Sequence, residues 1–259
     1  MKKSFSLALT MVLLITSLFG VQISAYAGEY STYAKTIKFG TTYSDEADPG
    51  VFGYDDYFIK EYQFDSYGRI VYKISVPAKG KVTVTTTNAM GWSAIYIYKG
   101  DVCYKSTDGK GQTVSDKKSE TSNNKCQRTT GFILTSGTYY VVIRPVEMYA
   151  YCTTKVTYSA SVTGTSLTKV IAKDNAFRAL WNTRKYVSGY QIQYSTSSSM
   201  SNAKSVKISG KTSSSRTVKS LKNKKKYYVR IRTYRIVKVN GSNKTYYSKW
   251  SAKKTVTTK

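Results

Sequence analysis

The sequence predicts an all-β chain: two tandem β-sandwich domains behind a cleaved signal peptide. Three observations carry that prediction. The chain is rich in Tyr, Thr, Ser and Val, with 25 Tyr against 3 Pro, and helical periodicity is missing beyond the N-terminal stretch. Short runs of alternating apolar residues recur between turn signals at regular spacing, as they do in sandwiches. Charge splits the chain in two. Gly28 to Thr163 holds 13 Lys and 3 Arg against 13 acids, whereas Gly164 to Lys259 holds 17 Lys and 6 Arg against a single acid, Asp174, a net of +22. An asymmetry of that size marks a domain boundary and points to an anionic partner for the basic half.

Residues 1–27 have the layout of a secretory signal. Met1-Lys2-Lys3 is a basic start, Leu7 to Val21 is mostly apolar, and Ala25-Tyr26-Ala27 offers small residues two apart, so cleavage is expected after Ala27. The apolar stretch is short for a membrane span, which needs about 20 residues. Cleavage leaves 232 of the 259 residues and no later span. The sequence ends Thr-Val-Thr-Thr-Lys without a sorting motif. The expected location is secreted or extracellular, with any surface attachment non-covalent.

Residues 28–53 read as a lead-in segment, and residues 54–163 as a jelly-roll-like sandwich. The predicted strands are Phe58 to Phe64, Ile70 to Val76, Lys81 to Thr87, Ser93 to Tyr98, Thr129 to Leu134, Thr138 to Ile143 and Thr154 to Val162. Ser106 to Arg128 reads as one long polar loop. The runs Ile70-Val71-Tyr72-Lys73-Ile74-Ser75-Val76, Gly80-Lys81-Val82-Thr83-Val84, Ala94-Ile95-Tyr96-Ile97-Tyr98 and Ser136-Gly137-Thr138-Tyr139-Tyr140-Val141 resemble the bacterial pre-peptidase C-terminal domain. That resemblance implies a non-catalytic appendage of a secreted hydrolase system, with polysaccharide, collagen or calcium as ligand classes.

Residues 164–259 carry the more specific pattern. Phe177, Ala179 and Trp181 alternate, as do Tyr190, Ile192 and Tyr194, and then Tyr227, Val229 and Ile231. Asn240-Gly241 is a strong hairpin turn, and a last strand is predicted from Tyr246 through Trp250 to Val256. A Trp on the second strand, Gly-Tyr-Gln-Ile-Gln-Tyr on the third, and Leu221-x5-Tyr227-x-Val229-x-Ile231 resemble a fibronectin type III domain. The Lys-rich form ending in Tyr-Tyr-Ser-Lys-Trp-Ser is similar to domains on surface and secreted proteins of Gram-positive bacteria, clostridia especially. The resemblance makes Trp181, Tyr190, Leu221 and Tyr227 core residues, with Tyr227 as the tyrosine corner.

The chemistry that is missing narrows the function. The chain has no His, which removes Ser-His and Cys-His activation and most catalytic zinc sites. None of the 3 cysteines lies in a Cys-x-x-Cys pair. Cys103 and Cys126 flank the polar loop and are the candidate disulfide, the alternative being three unpaired thiols. No nucleophile motif is present and the chain is not expected to be an enzyme. No cofactor is expected except a structural calcium ion: Asp45, Glu46, Asp48, Asp55 and Asp56 cluster ahead of the first sandwich and supply hard oxygen ligands, or else form a solvated acidic turn. Trp92, Tyr54, Tyr57, Tyr149 and Tyr151 are aromatics that could stack on sugars.

On the basic half, Tyr228, Arg230 and Arg232 alternate with the core set and face outward, with Tyr234 as a further candidate and Tyr247-Ser248-Lys249-Trp250-Ser251 on the neighbouring strand. Trp250 is expected to stack on Arg230 or Arg232, either as a stabilising ladder or as a ligand platform. Together with Lys224, Lys225, Lys226 and Lys249, these form the candidate polyanion-binding set. The expected function is an adhesion or spacer module whose partners are anionic cell-wall or extracellular polymers. Carbohydrate or other surface proteins are alternative partners, through the first sandwich. Specific nucleic-acid binding is not expected.

Overall fold

The computed structural model describes residues 34–46, 69–89, 91–99, 102–107, 115–123, 125–145 and 151–259. Every regular element in them is a β-strand, and the sheets are consistent with tandem sandwiches. The signal segment, Asp48, Asp55, Asp56, Tyr54, Tyr57, Tyr149 and the strand expected at Phe58 to Phe64 lie outside the described residues. The chain divides into two compact units, Met1–Tyr158 and Ser159–Lys259.

In the first unit, β1 (Lys35–Thr36), β3 (Ile70–Val76), β9 (Gly137–Arg144), β5 (Ala94–Lys99) and β6 (Val102–Ser106) form one sheet in that spatial order. The second sheet runs β2 (Thr42–Glu46), β10 (Tyr151–Ala160), β4 (Gly80–Asn88), β8 (Cys126–Leu134) and β7 (Ser115–Glu120). The strands form where period-two patterning allows one face to bury. Strand β10 alternates exposed and buried without a break, and β4 alternates buried and half-buried, with Val82 and Val84 fully buried beside half-buried Thr83 and Thr85. Ile74, Ile95, Phe132, Leu134, Tyr139 and Val156 join them. Each such side chain stabilises the fold by about 1.5–3 kcal/mol relative to exposure.

Two expectations are corrected here. Residues 34–46, within the segment read as a lead-in, supply an edge strand to each sheet. Asp45 on β2 accepts from Lys35 Nζ on β1 at 2.6 Å and from the Tyr72 hydroxyl on β3 at 2.7 Å, so it ties one sheet to the other. The region read as a single polar loop, Ser106 to Arg128, contains β7. That strand is exposed on both faces because it lies at a sheet edge, so no apolar alternation announces it.

In the second unit, β11 (Leu167–Lys173), β12 (Ala176–Trp181) and β15 (Ser215–Val218) form a three-stranded sheet. The facing sheet runs β14 (Lys204–Ser209), β13 (Gly189–Ser195), β16 (Lys226–Val239) and β17 (Ser242–Tyr247), with β18 (Lys254–Thr257) also pairing β16. This is a fibronectin type III-like sandwich. Phe177, Ala179, Tyr190, Ile192, Val229 and Ile231 are fully buried between the sheets. Trp181 and Tyr227 are buried with them, and Leu221 packs against that core partly exposed. The Tyr227 hydroxyl accepts from the Lys222 N–H at 3.1 Å, the tyrosine-corner bond back to upstream backbone.

The last strand differs from its expected form. It is split in two, β17 and β18, with residues 248–253 between them. Asn240 and Gly241 both have positive φ, +50° and +85°, as a type I′ turn requires, so β16 runs on to Val239 before folding back. After Tyr247 the chain stays beside β16 through side chains as well as backbone. The Thr233 N–H donates to Ser248 Oγ at 3.1 Å while the Ser248 N–H donates to the Thr233 carbonyl at 3.1 Å. Ser251 repeats the pattern on Ile231, at 3.1 and 2.8 Å.

Candidate functional site

The outer face of the β14-β13-β16-β17 sheet is built by alternation. Residues of β16 at odd positions from Tyr227 to Thr233 fill the core, which sends Tyr228, Arg230 and Arg232 outward. Register then sets Gln193 beside Arg230 and Gln191 beside Arg232. Arg230 Nε donates to Gln193 Oε1 at 2.7 Å and Arg232 Nε to Gln191 Oε1 at 2.8 Å. The two serine bonds hold the following segment flat against β16, and that places Trp250. Its ring lies 4.8 Å from Arg230 Cζ and 4.2 Å from Arg232 Cζ. Arg232 is also 3.8 Å from the Tyr247 ring. The order along the face is therefore Arg230, Trp250, Arg232, Tyr247.

Tyr247 in turn meets the Tyr234 ring at 6.2 Å, and Lys207 Nζ sits 4.4 Å from Tyr234. Gly189 makes this end possible. A Cβ there would collide with the Ile208 carbonyl and lie 2.7 Å from the Tyr234 hydroxyl. At the other end, Lys226 Nζ lies 5.5 Å from the Tyr228 ring. Cations and rings thus alternate along the sheet. Each guanidinium has its Nε held by a glutamine amide oxygen. Burial lowers the Arg232 pKa from its ordinary value, with Arg230 adding to the effect and Tyr247 opposing it. An arginine keeps its charge at neutral pH all the same.

The structure gathers Arg230, Arg232 and Trp250 of the expected set. Lys249 is exposed between Ser248 and Trp250. Lys224 and Lys225 lie in the turn before β16, where the Lys225 N–H donates to Thr258 Oγ1 at 3.0 Å and Lys224 has φ +50°. Gln191 and Gln193 were missed from sequence, whereas Tyr234, read there as an outward candidate, is buried and meets the Tyr247 ring at the end of the row. The alternation that marks Tyr190, Ile192 and Tyr194 as inward also sends Gln191 and Gln193 outward, so the signal was present.

The acidic and cysteine candidates fare differently. Asp45 is taken up by Lys35 and Tyr72, while Glu46 is next to it on a strand and so faces the opposite side, toward Tyr151. Among the described residues no group of three or more acids or cysteines is placed to hold a metal. Cys126 carries a free thiol in the structure, and the side chain of Cys103, its expected partner, lies outside the described ones. Cys103 lies on β6 and Cys126 opens β8, which belong to different sheets. Cys152 is free, fully buried and 4.0 Å from Ser93 Oγ, which the Asn88 amide approaches to 2.6 Å. Burial raises the Cys152 pKa and keeps the thiol protonated. Trp92 and Tyr151 are exposed, and Lys118 covers Trp92 at 5.4 Å.

No family model and no curated protein matches the chain. Solved structures match only loosely. The fn3 domain of human contactin 1 aligns at 18% identity and TM-score 0.30, covering 38% of this chain and 83% of that domain. The chicken CNTN1 FN1–FN3 domains align at 15% and 0.30, with 73% of this chain covering 60% of that one. A β-1,2-glucanase from Parabacteroides distasonis aligns at 13% and 0.30, where 74% of this chain spans only 31% of the enzyme. Likeness at this level says nothing about activity.

Proposed function

We propose that the protein is a non-catalytic, secreted or surface-associated adhesion or spacer module whose basic second unit associates with anionic surface polymers. One observation carries this reading. The second unit holds 23 Lys and Arg against Asp174, and both ion pairs among the described residues belong to the first unit. The cations of the second unit are therefore uncompensated. Clustered surface charge of one sign sums to a field that draws anions across the roughly 8 Å screening length of physiological salt. The Arg230–Trp250–Arg232–Tyr247 row gives that field a fixed surface, because amides and rings hold both guanidinium groups in place. The lack of His supports a non-catalytic role.

The test is retention of the full chain on a panel of anionic wall polymers, neutral glycans and collagen, washed at rising salt. The expected result is retention on the anionic polymers at low ionic strength and release by about 0.5 M salt, where screening is about 4 Å. Arg230→Glu combined with Arg232→Glu should weaken retention further than Lys224→Glu with Lys225→Glu. Salt-resistant retention on a neutral glycan would instead favour carbohydrate binding by the first unit. No retention at any salt would leave only the spacer role.

A further inference from the structure

The two sheets of the second unit each end in a strand with one partner only: β14 pairs with β13, and β15 with β12. Between these two edges runs an open groove of about 570 Å³ lined by Tyr194, Val206, Arg216, Thr217, Val218 and Lys219. Its floor is apolar and firm. The Tyr194 ring meets Phe177 edge-on at 5.6 Å and Tyr227 at 6.2 Å, while Val206 packs against the core and Val218 is buried. Its rim is cationic, with Arg216 and Lys219 exposed. Lys204, also exposed, stands opposite Tyr194 in register. Because β14 pairs with β13 alone, alternate N–H and C=O groups along its six residues face away from β13, except that the Ser209 carbonyl already accepts from Ser213 Oγ at 3.2 Å.

We propose that this groove is a docking site for an extended acidic segment of a partner protein, which adds to the sheet as a further strand on β14. Each part of the site selects for that ligand. The free backbone ladder needs a polypeptide, because only a peptide offers donors and acceptors at strand spacing. The floor takes an apolar side chain at alternate positions, between Val206 and Val218. The rim takes carboxylates, through Arg216, Lys219 and Lys204. A second copy of this chain is a poor occupant. Its own edge would bring Lys204 and Lys207 against the same residues, and like charges facing one another across strands destabilise pairing. This site is separate from the outer face with Trp250, so it stands apart from the polymer-binding reading.

The experiment uses the full chain and a capped Glu-Val-Glu-Val-Glu-Val peptide, with hydrogen exchange and titration calorimetry as readouts. The peptide is expected to bind and to slow exchange at Lys204–Ser209. The same peptide N-methylated at alternate residues keeps every charge and side chain but loses the ladder, and should not bind. Arg216→Glu with Lys219→Glu should weaken binding roughly tenfold or more, as loss and reversal of close charge partners does. Trp250→Ala should leave it unchanged. The proposal is overturned if the N-methylated peptide binds equally well. It is also overturned if protection falls on β16 and β17 instead of β14, or if the peptide does not bind. The peptide arms need no variant, so misfolding of the charge-reversed protein cannot rescue or sink the idea.

Discussion

The two units face the same problem, cations against a β-sheet, and answer it with different chemistry. In the first unit Arg128 is buried and takes a carboxylate: its Nε and Nη2 donate to Asp116 at 3.0 and 2.8 Å, while Nη1 donates to the Ser93 carbonyl at 3.2 Å. Thr130 adds a hydroxyl to the same acid at 2.6 Å. In the second unit Arg230 and Arg232 have no acid at all; they rest on Trp250, on Tyr247 and on two glutamine amides. An ion pair cancels charge locally, whereas a ring or an amide orients a cation and leaves its charge in the field. The first solution builds a core and the second builds a charged surface.

Removing the acid tests the first solution and carries the largest expected effect. Asp116→Asn leaves Arg128, whose side chain is 7% exposed, without its counter-charge. Breaking a fully buried pair costs roughly 3–5 kcal/mol. Asp116 is 30% exposed, so water recovers part of that, and a loss of about 2 kcal/mol is expected. Hydrogen-exchange protection of β7 and β8 should fall while that of β13 and β16 stays. Loss of protection in both units together would break the contrast.

Acid makes the same cut without mutation. Hydrogen bonds from Arg128 hold Asp116 below the usual carboxylate range, against an opposing push from burial. Its folded value is therefore below its unfolded value of about 3.9. The stability it contributes is fully present above that unfolded value and drains away as pH falls through the folded one. Protection at β7 and β8 should drop below about pH 4, and Asp116→Asn should remove that part of the slope. The Arg230–Trp250–Arg232 contacts involve no carboxylate and should show no matching loss.

Trp250→Ala probes the second solution and should cost about 1–2 kcal/mol, since it removes two cation–ring contacts and part of their cover. The useful readout is the split between stability and binding. If the row only stabilises the sheet, thermal stability falls and polymer retention at low salt is unchanged. If it is also the polymer surface, both fall. A variant with full stability and no retention would make the row a ligand platform alone.

What was legible in the sequence was whatever repeats with the period of a strand that buries one face. That covered β3, β4, β9, β12 and β13, the inward set on β16, and the outward arginines. What was hidden depended on partners far along the chain. Strands β2 and β7 are short, polar edge strands: their backbone partners on β10 and β8 hold them, and their own side chains give no sign. Spacing alone could not show that Cys103 and Cys126 belong to different sheets. Gln191 and Gln193 had the right parity, but their role appears only once register sets them beside Arg232 and Arg230. The single last strand failed for a related reason, since between β17 and β18 Ser248 and Ser251 hold the chain beside β16 through their side chains as well as their backbone N–H groups.

Those two serines give the smallest and most discriminating test of how the charged face is held. Both accept from a backbone N–H of β16, yet their surroundings differ. Thr233 and Ile231 are both fully buried, but Ser248 is itself buried, so its bond is shut off from water, whereas Ser251 is half-exposed and its bond to Ile231 is reached by solvent from the serine side. A buried donor left without a partner costs about 1–3 kcal/mol, whereas water can replace an exposed acceptor. Ser248→Ala is therefore expected to lose about 1 kcal/mol and Ser251→Ala no more than about half of that. Ser248 also adjoins Tyr247, and Ser251 adjoins Trp250, so each change loosens one end of the aromatic clamp on Arg232. Near-ultraviolet circular dichroism should report that loosening. If Ser251→Ala proved the costlier of the two, the segment would be held by its ring contacts with the arginines, and the serine bonds would be a consequence of that packing.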